Sequence, residues 1–153
     1  RELYDAVDWP VIVLLGAMIP VGGALETSGL AQLIAEQVAA LGEGWPDRVV
    51  LGLILVVTMA VTPMLNNAAT VIVMVPIAIG IAQSLGANPD AFVMAVAIGA
   101  SCDFLTPFGH QNNTLILAPG GYRFADYWRL GVPLDLVVVG VGVALLPIVF
   151  PLR

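Results

Sequence analysis

The sequence predicts an all-α membrane protein whose transmembrane helices include a re-entrant helical hairpin and a broken helix. Of its 153 residues, 59% are hydrophobic and 10% are charged, a composition outside the range of soluble domains. Two polar islands, residues 62–70 and 106–114, interrupt the apolar runs, and neither contains Lys, Arg, Asp or Glu. In hydrocarbon, such breaks persist only when they are buried in protein or line a cavity. We therefore expect discontinuous helices that meet around a solute, as in secondary transporters.

The first two predicted elements precede the polar islands. Residues 9–25 form an apolar run of membrane-span length, with Trp9 as an interfacial anchor. Residues 29–42 carry apolar side chains at helical spacing, with glutamines and Glu36 on the opposite face. This pattern predicts an amphipathic helix that either faces protein or lies near the membrane interface.

Residues 49–85 predict the re-entrant hairpin. Two apolar runs are separated only by Asn66 and Asn67, with no charged linker, so the chain must reverse in a tight turn. Length alone allows a hairpin that spans the bilayer or one that ends at mid-depth. We predict the re-entrant form, with both asparagines at its tip.

Residues 91–118 predict a broken helix, and residues 130–152 predict the last span. The apolar run after Ala91 is only about half a membrane thick at ~1.5 Å per residue, and the second island then interrupts it. The intervening loop, residues 119–129, carries Arg123 and Arg129. The positive-inside rule places this loop in the cytoplasm.

Charge and cysteine content exclude several functions. The chain has five basic and eleven acidic residues, with no basic patch, so we expect no nucleic acid partner. No nucleophile–base pair or metal-ligand cluster is visible, which argues against an enzyme and against a cofactor. One cysteine, Cys102, cannot form an internal disulfide.

The chain opens without an initiator Met or a signal peptide, and we expect it to be the C-terminal part of something longer.

The hairpin tip combines two kinds of ligand. Asn66 and Asn67 are suited to cap the helix that starts at Ala68, and its N–H groups would attract an anion. The helix that ends near Leu65 leaves carbonyl oxygens that suit a sodium ion. The alternative is a plain turn between helices, since Asn-Asn is ordinary turn chemistry.

The second island repeats this arrangement. Pro107 breaks the helix, Gly109 allows a close backbone approach and offers a carbonyl ligand, and Asn112 or Asn113 is expected to cap the following segment. A dianion held by amides and helix ends would lack a side-chain counter-charge, because neither island contains Lys or Arg. Desolvating it would be costly, which favours co-bound sodium or protons.

Two titratable residues lie at the second break. His110 is the only histidine, and a lone histidine is more often a hydrogen-bonded structural residue than a substrate contact. Asp103 is either a proton carrier or, with Ser101 and Thr106 nearby, an acid whose hydrogen bonds are satisfied.

At these motifs the chain resembles the divalent anion:sodium symporter family of the ion-transporter superfamily. Residues 62–76 resemble the family's re-entrant hairpin tip, and residues 103–133 its broken helix and following loop. The resemblance implies the C-terminal one of two inverted repeats, with the N-terminal repeat missing here. It further implies a multi-pass transporter of the inner cell membrane, embedded in the lipid bilayer and homodimeric when complete, which moves a small anionic solute.

The resemblance also assigns site residues and sodium as the coupling ion. It implies a sodium site formed, partly through backbone carbonyls, by Thr62, Leu65, Asn67 and Gly109. It implies substrate contacts from Asn66, Asn67, Ala68 and His110.

The chain departs from the family pattern at both motifs. Its tip reads Asn66-Asn67-Ala68 where the family often has Ser-Asn-Thr, and His110-Gln111-Asn112 replaces a Thr-Pro-Pro found in dicarboxylate carriers. The substrate is therefore open among a dicarboxylate, citrate and sulfate. Alternatives are a proton-linked antiporter or arsenite-type carrier, with Asp103 or His110 titrating, and a non-transporting membrane subunit in which both islands satisfy a helix interface.

Overall fold

The computed structural model describes residues 44–65 and 67–153, together with a few isolated positions nearer the N-terminus. Apart from such isolated positions, the predicted span 9–25 and the amphipathic helix 29–42 lie outside the described residues. Asn66, at the predicted hairpin tip, also lies outside them. Within the described residues the helices are α1 (Asp47–Leu65), α2 (Asn67–Leu85), α3 (Pro89–Ser101), α4 (Gln111–Leu117) and α5 (Phe124–Val149).

Three of these helices, α1, α2 and α5, are long and apolar enough to cross a membrane. α1 and α2 have 19 residues each, or ~28 Å of helix, close to the hydrocarbon thickness of ~30 Å. No strand is present in the part of the chain that the structure describes. The prediction of an all-α membrane protein is confirmed.

α1 and α2 lie side by side around α3. α3 has 13 residues, or ~20 Å of helix, yet it packs against both α1 and α2. The chain must therefore reverse between α1 and α2. One core unites Leu51 of α1, Met74 of α2 and Phe92 of α3, all of which are at most 1% exposed. The two helices thus form a hairpin, and its re-entrant depth in the bilayer stays a prediction.

Local turn chemistry connects α2 to α3. Gly86 adopts a φ of 66°, a left-handed conformation that glycine tolerates and that ends many helices. The Asn88 side chain then accepts the N–H of Asp90 at 3.0 Å and caps α3, with Pro89 at the first helical position. The short connection makes α3 antiparallel to α2 and parallel to α1.

α5 begins at Phe124 and ends at Val149, whereas the sequence predicts a span over 130–152. The earlier start has a local cause. The Asp126 carboxylate accepts the backbone N–H of Arg123 at 2.8 Å, and this capping box adds a helical turn to the predicted loop.

Contacts at one end of the bundle fix the direction of each helix. The backbone N–H of Asn88 donates to the carbonyl of Leu152 at 2.8 Å, and its side-chain amide donates to the carbonyl of Pro151 at 3.1 Å. Arg153 pairs with Asp47 at 3.2 Å. The starts of α1 and α3 and the end of the chain therefore share one end. The end of α1, the start of α2, the end of α3 and the start of α5 share the other, which is here called the junction end.

Glycines allow the helices to approach closely. A Cβ at Gly99 of α3 would lie 2.9 Å from the Leu55 carbonyl oxygen and 2.9 Å from the Thr58 Cβ of α1. A Cβ at Gly142 of α5 would lie 2.9 Å from a Leu55 methyl group. Small residues of this kind at helix contacts are typical of membrane proteins.

Gly99→Ala is expected to lower the stability of the full-length protein by ~1–3 kcal/mol, because the added methyl group meets backbone that cannot move aside. Gly80→Ala is the matched control, since a Cβ on that exposed glycine of α2 meets nothing within 4 Å. It should be neutral or stabilising by up to ~1 kcal/mol. Thermal unfolding in detergent measures both, and equal midpoints for the two variants would contradict the close α1–α3 contact.

Candidate functional site

The junction between α1 and α2 brings together two helix ends of opposite polarity. α1 ends at Leu65 and α2 begins at Asn67, so the last four carbonyls of α1 and the first four N–H groups of α2 have no partner within their own helix. The last turn of α1 has no basic residue and the first turn of α2 has no acidic one. The carbonyls suit a cation, and the N–H groups suit an anion.

The predicted ligands at this junction differ in burial. Thr62 is 0% exposed and Leu65 is 2% exposed, whereas Asn67 is half-buried and Ala68 is exposed. The Thr62 hydroxyl donates to the Thr58 carbonyl at 2.7 Å. Its proton is therefore used inside the helix, and its oxygen lone pairs remain for a cation.

Residues 102–110 form a non-helical break between α3 and α4. Two side chains of α4 bind its carbonyls. The Asn113 side-chain amide donates to the backbone carbonyl of Asp103 at 2.9 Å and to that of Thr106 at 3.2 Å. The Thr114 hydroxyl donates to the backbone carbonyl of Pro107 at 2.7 Å. These bonds satisfy backbone groups that would otherwise be stranded in hydrocarbon.

Gly109 keeps a carbonyl available. Its N–H donates to the Thr106 hydroxyl oxygen at 3.1 Å, but no group in the described ranges donates to its carbonyl. The position that the resemblance assigns to sodium therefore has an unused oxygen ligand.

His110 caps α4. Its Nδ1 accepts the backbone N–H of Asn112 at 3.2 Å, in extended backbone conformation just before the helix. The prediction that Asn112 or Asn113 caps this segment is wrong, because α4 starts at Gln111 and the Asn113 amide binds carbonyls of the break instead. With Nδ1 accepting, the neutral imidazole carries its proton on Nε2.

Asp103 is not satisfied as the sequence suggests. The Ser101 hydroxyl donates to the Ala97 carbonyl of its own helix at 2.8 Å. The Thr106 hydroxyl lies beside the carboxylate and accepts the Gly109 N–H at 3.1 Å. Asp103 is 2% exposed, and neither carboxylate oxygen has a hydrogen-bond partner. Of the two interpretations of Asp103, the acid with satisfied hydrogen bonds is therefore not supported by these contacts.

The sequence interpretation also missed Thr70. This residue of the first turn of α2 is 0% exposed, and its hydroxyl oxygen has no hydrogen-bond partner. A threonine in an apolar helix usually bonds the carbonyl one turn back, as Thr58 does at 2.7 Å. That this hydroxyl lacks a hydrogen-bond partner can be recognised only in the folded chain.

The helix directions bring both motifs to the junction end. Gly99, close to the end of α3, lies against Thr58 of α1, one turn before Thr62, and the break begins shortly after that contact. No hydrogen bond joins the α1–α2 junction to the break within the described ranges. The structure thus places Thr62, Leu65, Asn67 and Ala68 together by chain continuity, and Gly109 and His110 together at the break.

A separate cavity of about 210 Å³ lies between the break, α4 and the start of α5. Apolar side chains including Phe104 and Leu134 line most of it, and Asn113, Asp126 and two tyrosines supply its polar groups. No basic side chain lines it. This cavity is poorly suited to a dianion, and none of the predicted ligands faces it.

Comparisons with known proteins identify the family. The sequence profile described as "Citrate transporter" matches residues 1–153. An uncharacterized transporter of Synechocystis sp. is 44% identical over 137 residues, which cover 90% of this chain and 22% of that protein. The uncharacterized transporter YfbS of Escherichia coli is 36% identical over 151 residues, covering 99% of this chain and 25% of that protein.

A relative with a named activity is sodium/sulfate cotransporter 2 of Chlamydomonas reinhardtii. It is 30% identical over 136 residues, which cover 88% of this chain and 15% of that protein. The chain therefore spans a quarter or less of the length of these relatives. The resemblance to anion transporters is confirmed, and the names indicate transporters rather than enzymes. Because its profile matches the chain from end to end, the chain belongs to the citrate transporter family.

Proposed function

We propose that this chain supplies the C-terminal repeat of a sodium-coupled secondary transporter that moves a divalent anion across the cell membrane. The observation that carries the proposal is that the carbonyl end of α1, the N–H end of α2 and the break before α4 all lie at the junction end of one apolar bundle. Half-helix ends of opposite polarity at one place are suited to bind a cation and an anion together.

The anion would be bound by the start of α2. The first N–H groups of this helix, at Asn67 and Ala68, together with the amides of Asn66 and Asn67, supply hydrogen-bond donors without formal charge. His110 adds an Nε2–H donor, because its Nδ1 is occupied by the cap of α4. Oxygens of a dianion accept several such bonds at once.

Sodium would be bound by oxygen atoms from both motifs. Thr62, Leu65 and Asn67 contribute from the junction, and Gly109 contributes its carbonyl from the break. Sodium ions beside the anion offset the cost of removing two negative charges from water, which neutral donors alone compensate poorly. This electrostatic need is the physical basis of the coupling.

Sulfate is the first substrate to test, and citrate and a dicarboxylate are the others. Relatives named sodium/sulfate cotransporters match 88% of this chain, whereas the family profile carries the description of a citrate transporter. The His110-Gln111-Asn112 sequence in place of Thr-Pro-Pro also favours an oxyanion over a dicarboxylate. The complete transporter would be a multi-pass homodimer of the inner membrane, with an inverted N-terminal repeat that completes the site.

We expect the full-length protein, reconstituted into proteoliposomes, to take up radiolabelled sulfate under an inward sodium gradient and not with choline in its place. Excess unlabelled citrate and succinate report on the competing substrates. Uptake driven by a pH gradient without sodium would favour the proton-linked alternative. If no tested anion is taken up under either gradient, and none raises the melting temperature, the non-transporting membrane subunit would be the better interpretation.

Asn67→Ala is expected to weaken the binding of both sodium and sulfate, because this residue contributes to both proposed sites. A buried hydrogen bond to a charged group is worth ~1.5–3 kcal/mol, so each apparent affinity should fall about tenfold or more. Gln83→Ala is the control, since it removes an exposed amide from the far end of the same helix. A change in only one of the two affinities would contradict a shared site.

Substitutions at His110 separate its cap from anion binding. Asn is a good N-cap, so His110→Asn should keep the native melting temperature, whereas His110→Ala should cost about 1 kcal/mol of stability. Both variants lack the Nε2–H donor, and the half-saturating sulfate concentration should rise severalfold in each. Native sulfate affinity in His110→Asn would limit this residue to the cap.

A further inference from the structure

The polar group that the proposed function leaves unused is the Asp103 carboxylate. Asp103 is 2% exposed, and both of its side-chain oxygens lack a hydrogen-bond partner. An ionised carboxylate in such surroundings is strongly destabilised unless it is paired. Ionisable residues buried at membrane depth usually mark an ion or solute pathway.

The Asp103 carboxylate lies against Gly109 of the break. A Cβ built on Gly109 would overlap the carboxylate of Asp103, so the side chain fills the space that any larger residue at 109 would need. The acid therefore lies directly against the residue whose carbonyl has no donor among the described groups. A carboxylate and a residue with an unused carbonyl are therefore neighbours.

A second acid lies on the face of α5 that packs against the break. Gly131 packs against the backbone of the break, since a Cβ there would lie 2.6 Å from the Phe104 carbonyl oxygen. Asp135 follows one turn later on the same helix face. Its Oδ1 is buried and without a hydrogen-bond partner, and it is close enough to interact electrostatically with Asp103.

No cationic side chain in the described part of the chain balances these acids. The ion pair in the described ranges joins Arg153 to Asp47 at the opposite end of the bundle. Arg123 and Arg129 are exposed at the start of α5, and neither is an electrostatic partner of Asp103. The Asp103 carboxylate and the Asp135 Oδ1, both without hydrogen-bond partners, make the contact between the break and α5 a place of negative potential.

We propose that Asp103 is an anionic ligand of a sodium ion bound at the break, with the Gly109 carbonyl as a neighbouring ligand and Asp135 adding negative potential from α5. The ligands are oxygen atoms, which suit a hard cation. The part of the chain that is described contains no group of three or more His, Cys, Asp or Glu residues that would hold a metal ion, which argues against a transition metal. The inference deepens the sodium coupling of the proposed function and rests on it.

This ligand has a consequence for the anion. An Asp103 carboxylate without sodium repels a divalent anion at the junction end, and bound sodium neutralises it. Replacing the acid by a neutral isostere should therefore weaken sodium binding and also make sulfate binding less dependent on sodium. A purely structural hydrogen bond would produce neither effect.

The test uses the full-length protein and sodium chloride as the probe, with choline chloride keeping the ionic strength constant. Asp103→Asn should raise the half-saturating sodium concentration in thermal-shift and radioactive sodium-binding assays by about tenfold or more, because a charged ligand is lost. In sodium-free medium its melting temperature should equal or exceed the native value, because an unpaired buried charge has been removed. The control Asp90→Asn removes an exposed acid at the start of α3 and should behave like the native protein.

Asp135→Asn is the second variant, and it keeps the inference testable if Asp103→Asn does not fold. It should raise the half-saturating sodium concentration to a smaller degree than Asp103→Asn, and an unchanged value in both folded variants would overturn the inference. A lower melting temperature of Asp103→Asn without sodium, together with native sodium affinity, would assign Asp103 a structural role. If the native protein itself shows no response to sodium, the sodium coupling of the proposed function fails as well. A native response that Asp103→Asn retains in full overturns only this site.

Discussion

The break between α3 and α4 is governed by the requirement that backbone groups outside a helix find partners within the protein when no water is present. Asn113 and Thr114 meet it by donating to the carbonyls of Asp103, Thr106 and Pro107. Both donors belong to α4, which has only seven residues and would not be stable as an isolated helix. The helix and the break therefore stabilise each other, and the Tyr127 hydroxyl ties them to α5 by donating to the Asn113 carbonyl at 2.7 Å.

The same bonds decide which backbone oxygens are left for a solute. The carbonyl of His110 accepts the Asn113 backbone N–H at 3.0 Å, and those of the three residues bound by α4 side chains are occupied too. The Gly109 carbonyl is among those of the break that have no donor in the described ranges. Bonds from α4 thus satisfy part of the break, while the buried Asp103 carboxylate, which lies against Gly109, keeps both oxygens without a hydrogen-bond partner. Such unmet groups in a membrane protein are more readily explained by a ligand than by imperfect folding.

The sequence was sufficient for those features that depend on neighbouring residues. Apolar runs of span length, Pro107 and the paired asparagines act locally, so the all-α membrane class and the positions of both interruptions could be predicted. The N-cap of α4 could not, because Asn113 is recruited by carbonyls that approach it only in the fold. The surroundings of Asp103 could not be predicted either, since the Ser101 hydroxyl finds a carbonyl one turn back in α3. The ligand assignments from the family resemblance stay predictions.

The two polar islands differ in a way that bears on coupling. The first presents only neutral groups and helix ends, which suit an anion, whereas the second is preceded by a buried acid that repels one. A dianion and an unneutralised Asp103 at the same end of an apolar bundle are electrostatically incompatible, because interactions between charges are poorly screened there. A cation at the break removes the conflict and adds attraction for the anion. Obligatory co-binding would then follow from the charges themselves, without a separate conformational signal between the two sites.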